Sequence, residues 1–167
     1  GRRIAATAVA VQAAATTFDE SDALEFATLT KNPNKLAALN RWQKVTAEYQ
    51  GAAVKGSAEF SNLAGVFRTE LEREKLPEKQ VSTLVAGFLK AEKMDEARRA
   101  YALQAKVATG AHRFVGLLIE HERVWSVDPE SDQVESDDAV FAEKFDVALT
   151  DLQNDMEAFN KLLESIR

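Results

Sequence analysis

The chain has 167 residues, 46% hydrophobic and 29% charged, a balance that excludes a disordered polypeptide and fits one domain with its own core. It contains no cysteine, which excludes disulfides, thiolate metal sites and cysteine nucleophiles together. The net charge of −6 is lopsided: residues 129–167 hold 11 acidic and 3 basic side chains, and no stripe of Lys and Arg occurs elsewhere, so nucleic acid is not an expected partner.

Only seven glycines and three prolines interrupt an alanine-rich sequence, which predicts helix almost throughout. Gly1-Arg2-Arg3 followed by the apolar run from Ile4 to Ala15 resembles a secretory signal. Its alanine content, Thr7, Gln12 and lack of leucine favour instead a helix packed within the fold, and twelve residues are too few to cross a bilayer. Thr17-Phe18-Asp19-Glu20 has capping-box spacing and predicts a break near Thr17. Each proline stands where a helix would begin, since its missing N–H would be unpaired there anyway: Asn32-Pro33, Leu76-Pro77 and Asp128-Pro129, with Asn32 and Asp128 as caps. Leu36, Leu39, Trp42, Val45, Tyr49, Ala52, Gly56, Phe60, Leu63, Phe67 and Leu71 recur at helical spacing. A further start is expected at Lys93-Met94-Asp95, supported by Asp95 pairing to Arg99. Ser136-Asp137-Asp138 offers a second start for the last helix, whose seam is Phe141, Phe145, Leu149, Leu152, Met156, Phe159, Leu163 and Ile166. No stretch sustains period-two alternation, so no sheet is expected.

The fold class is therefore all-α, an elongated antiparallel four-helix bundle. A hairpin turning at Leu76-Pro77 would make facing residue numbers sum to about 152. That register sets Trp42 against Gly110, Gly51 against Tyr101, Phe67 against Val85 and Leu63 against Leu89. Length then leaves residues from about 63 to 96 as a two-helix extension, which either projects from the bundle or folds back over its end.

Chemistry is sparse. The two histidines, His112 and His121, have Thr109 and Leu118 three positions before them, which excludes the Glu-x-x-His pairs of di-iron bundles. His121-Glu122 lacks the second histidine of a zinc protease, Trp125 standing in its place. No catalytic residues, cofactor or metal are expected. The run Ala111-His112-Arg113-Phe114-Val115-Gly116 resembles the phospho-accepting helix of histidine phosphotransfer domains, which are helical bundles and usually show Ala-His-x-Leu-Lys-Gly. The resemblance implies phosphoryl transfer through His112, with Val115 occupying the position of the lysine.

Trp42, Tyr49, Tyr101 and His112 are expected to approach one another near mid-bundle, where neighbouring small residues could leave room for a small molecule. In the extension, Phe67, Leu84, Val85 and Phe88 offer more apolar width than two helices can hide, as expected of a partner or self-association interface. These features suggest a non-enzymatic interaction or ligand-sensing module, with an extracytoplasmic setting favoured by termini that share one end of the bundle. The alternatives are an intracellular adaptor or chaperone-like bundle that grips a protein partner, and the phosphotransfer domain.

Overall fold

The structure, a computed structural model, describes residues 2–30, 34–91 and 94–166. The described residues are 81% helical. In chain order the elements are α1 (Arg2–Asp19), α2 (Phe26–Thr30), α3 (Lys35–Ser61), α4 (Leu63–Arg73), α5 (Glu78–Ala91), α6 (Met94–Glu120), β1 (Ser126–Val127), β2 (Val134–Glu135) and α7 (Ala139–Ile166). The all-α class holds, and none of the described helices is long and apolar enough to cross a membrane.

The long helices pack in sequence, α1 on α3, α3 on α6 and α6 on α7. Each pair is antiparallel. On α1 the inward stripe runs Thr7, Val11, Ala14 and Phe18, at alternating steps of three and four. Thr7 hydrogen-bonds Glu59, Val11 meets Gly56, and Phe18 stacks on Tyr49 with ring centroids 5.2 Å apart. Gly56 is there because nothing larger fits. A Cβ at this buried position would stand 2.7 Å from the Val11 side chain and 3.3 Å from the Tyr101 ring.

The core has two unequal parts. Near the β-hairpin, Phe26 of α2 meets Trp42, Phe114 and Phe145 at 6.0 to 6.3 Å between ring centroids. Phe114, Leu118, Leu39 and Phe141 are all but inaccessible around them. Burying each such side chain stabilises by about 1.5–3 kcal/mol. The second part, toward the α3–α4 junction, consists of Tyr49, Ala53 and Ala108 with Ala14, Ala15 and Ala105 around them. It is thin because its side chains are small.

Lys35 ties the start of α3 to the segment just past the end of α6. Its ammonium donates to the carbonyl oxygens of Glu122 (2.6 Å) and Trp125 (2.7 Å) and lies 4.1 Å from the centroid of the Trp125 ring. It thus satisfies backbone groups just past the end of α6, where carbonyls lack helical partners.

Several expectations need correction. The small antiparallel hairpin, Ser126 opposite Glu135 and Val127 opposite Val134, was not foreseen. Asp128-Pro129 belongs to its loop and starts no helix: the Asp128 carboxylate accepts from the Glu130 amide (3.0 Å) and the Ser131 hydroxyl (2.6 Å). An aspartate before a proline caps a turn as readily as a helix, and here the turn closes first. The second start prevails, with Asp138 accepting from the Phe141 amide at 2.8 Å. Asn34 caps α3 through the Ala37 amide, while Asn32-Pro33 lies outside the described residues. Thr17 is no cap; it sits inside α1 and its hydroxyl donates to the Ala13 carbonyl. α6 begins at Met94 as expected, Lys93 lying outside the described residues, but Asp95 pairs with Arg98 (3.5 Å), not Arg99.

The register also differs. Thr46 faces His112 and Phe60 faces Tyr101, so facing numbers sum to 158 and 161 rather than 152. The physical reason is a break at Asn62, which separates α3 from α4 and frees the α3–α6 seam from the geometry of the distant turn. Gly51 accordingly faces open space, and Gly110 packs against Leu152 instead of Trp42. α4 and α5 form the two-helix extension: they pair with each other, α4 otherwise touching α3 and α5 touching α6.

The contrast between two glycines of one helix is testable. Gly56→Ala is expected to destabilise the fold by about 1–3 kcal/mol in urea unfolding, because the added methyl overpacks the α1–α3–α6 contact. Gly51→Ala, in an open helix interior, is expected to stabilise by about 0.5–1 kcal/mol.

Candidate ligand groove

α1 lies along α3 and α7 along α6, and between α1 and α7 runs a groove of about 500 Å³. Its α1 wall is Gln12, Ala15, Phe18 and Asp19; its floor is Tyr49 of α3 with Ala100, Tyr101, Gln104 and Val107 of α6. Met156, Phe159, Asn160 and Leu163 of α7 form the opposite wall. The volume lies within the range of small-molecule sites, which are mainly apolar with a few oriented polar groups. Alanine at positions 15 and 100 leaves the space open. Met156 is 43% exposed here, so this end of the α7 seam faces the groove rather than a packed core.

The polar groups converge on the floor. Tyr49 is 5% exposed, its ring held between Phe18 and the α3–α6 seam, and its hydroxyl is hydrogen-bonded to Gln104. Burial raises its pKa above the ordinary 10.0; the Gln104 hydrogen bond opposes that and the charge of Asp19 adds to it. Tyr101 stacks on Phe60 at 3.8 Å, and burial raises it too.

Of the four residues expected to form a ligand site, Tyr49 and Tyr101 thus share the groove. Trp42 does not line it; it is buried in the large core and borders a separate depression of about 320 Å³ with Ser21, Asp22 and Arg41. His112 is also elsewhere, half-buried in the α3–α6 seam with Nδ1 3.2 Å from the Thr46 hydroxyl. Thr46 is fully buried, and its single hydroxyl hydrogen goes to a carbonyl of its own helix, Trp42 (2.9 Å) or Gln43 (3.1 Å). The donor and acceptor roles in the Thr46–His112 contact follow the imidazole tautomer. His121 lies 3.4 Å from the Lys144 ammonium and beside the Phe141 ring. Among the described residues no three His, Asp or Glu side chains gather as metal ligands.

In the extension, Phe67 and Phe88 stack on each other at 4.4 Å, and Val85 is half-buried beside a fully buried Val81. Leu84 is 46% exposed and Val66 41% exposed. As groove residues, sequence reasoning missed Gln12, Gln104 and Asn160, and it read Phe159 only as part of the α7 seam. Comparison with protein-family models, curated proteins and solved structures gave no significant match.

These are the only two tyrosines in the chain, which makes their titration legible. Native phenolate absorbance is expected to develop at higher pH than in the urea-unfolded chain. The stability contributed by the protonated phenols is complete below pH 10.0 and is lost as pH rises through the raised folded values. Tyr49→Phe should flatten that alkaline loss in urea unfolding measured against pH.

Proposed function

We propose that the chain is a non-enzymatic ligand-sensing or interaction module whose site is the groove between α1 and α7. One observation carries the reading. Where the hairpin-proximal half interlocks large side chains, this seam keeps an opening floored by two tyrosines and a glutamine. At 5% residue exposure the Tyr49 hydroxyl needs a hydrogen-bond partner, a requirement that a phenylalanine filling position 49 would not carry. In a fragment screen by ligand-observed NMR, hits are expected to shift the resonances of Tyr49, Tyr101, Gln104 and Phe159. The Ala100→Trp variant, which fills the groove from its α6 wall, should lose them. A screen in which hits ignore these residues, or survive the filling, removes the reading.

A second reading, an adaptor that grips a protein through the two-helix extension, draws on the exposed Val66 and Leu84. For it, Leu84→Glu is expected to weaken self-association in analytical ultracentrifugation or partner binding, with thermal unfolding nearly unchanged. If neither association nor binding responds, the extension is not an interface. Phosphotransfer through His112 has less support, since the ring is half-buried and engaged by Thr46 and the buried Val115 stands in place of a cation.

A further inference from the structure

The charge of the groove narrows the chemistry of its ligand, an inference that rests on the reading of the groove as a ligand site. Among the described residues that line it, Asp19 is the only charged one, and neither Lys nor Arg is among them. Asp19 is the last residue of α1, and the last turn of that helix carries no basic side chain. The unpaired carbonyls of a helix C-terminus already bring negative potential to this end. The carboxylate adds a full charge to it, close enough to be felt at the Tyr49 hydroxyl. An anion would meet repulsion with no cation among the described lining residues to offset it. A neutral molecule could use the Gln12, Gln104 and Asn160 carboxamides but would leave the Asp19 field unused. A cation gains from both.

We infer that the groove takes an organic ammonium with an apolar body, its charged head at Asp19 and its body along Phe159, Met156 and Leu163. The volume of about 500 Å³ suits a single small molecule of this kind and is too small for a peptide helix.

Three probes of matched shape separate the charge from the cavity: phenethylamine, phenethyl alcohol and hydrocinnamate, each titrated into the full chain with binding read from the Tyr49, Tyr101 and Phe159 resonances. The amine is expected to bind most tightly and hydrocinnamate least. Asp19→Asn should weaken the amine about fivefold, the effect of one partly exposed ion pair, and leave the alcohol unchanged. If alcohol and amine bind alike, or if Asp19→Asn leaves the amine's affinity intact, the ammonium assignment is overturned while the groove stands as a site. If none of the three shifts these resonances, the ammonium assignment falls, and the groove reading falls with it when the Ala100→Trp comparison also shows no groove hits.

Discussion

How closely α3 and α6 approach governs what the other helices can do. Ala53, Ala108 and Ala111 are wholly inaccessible, and Gly56 lies buried on the same surface of α3, so the backbones meet across small side chains. Over this stretch close packing at interior density then leaves no room for a large residue between them, and the aromatic rings stand at its flanks. Phe18 and Tyr49 stack on the α1 side, while Phe60 and Tyr101 stack at the far end of the seam. α1 is thereby held by α3 and α7 by α6. Nothing of comparable bulk draws α1 and α7 toward each other over the alanine-rich half.

The groove is the consequence. In the hairpin-proximal half, Phe26, Phe114, Phe141 and Phe145 bridge from helix to helix and fill the interior. In the other half the corresponding inward positions are Ala14, Ala15 and Ala105, whose methyl groups reach no further than their own helix pair. A core built on small residues gives short interhelical distances along one direction and unfilled space along the other. The same composition that makes α1 a good helix, with no side-chain entropy lost at each alanine, leaves its side toward α7 unoccupied.

Much of the fold was legible from period and punctuation. Helical spacing identified the long helices and the all-α class, Leu76-Pro77 marked the start of α5, and Asp138 was recognisable as a cap for α7. The misreadings came where one local signal admits two structures. Asp128-Pro129 is equally good chemistry for a helix start and a hairpin loop, and the choice was made by Val127 and Val134 packing against the large core. Asn62 gave no warning, because an asparagine in mid-helix is tolerated until tertiary packing draws the chain aside. That one break shifted the α3–α6 register and with it the expected site: Tyr49 and Tyr101 line different parts of one groove, whereas Trp42 lies in the large core and His112 in the α3–α6 seam. A constellation spread over two helices depends on register to within a turn, and spacing along one helix does not supply register between two.

Register also decides how the groove stands relative to the extension. Tyr101, on the groove floor, stacks on Phe60, and Phe60 lies one turn or less before the break at Asn62 where α4 departs. From the other side Arg98, three residues before Tyr101, donates to the Phe60 carbonyl at 3.4 Å. Leu63, the first residue of α4, is itself buried at this junction. The root of the extension is therefore packed against the same aromatic pair that closes one end of the groove. The break at Asn62 thus sets both where α4 leaves the α3–α6 seam and where the groove ends.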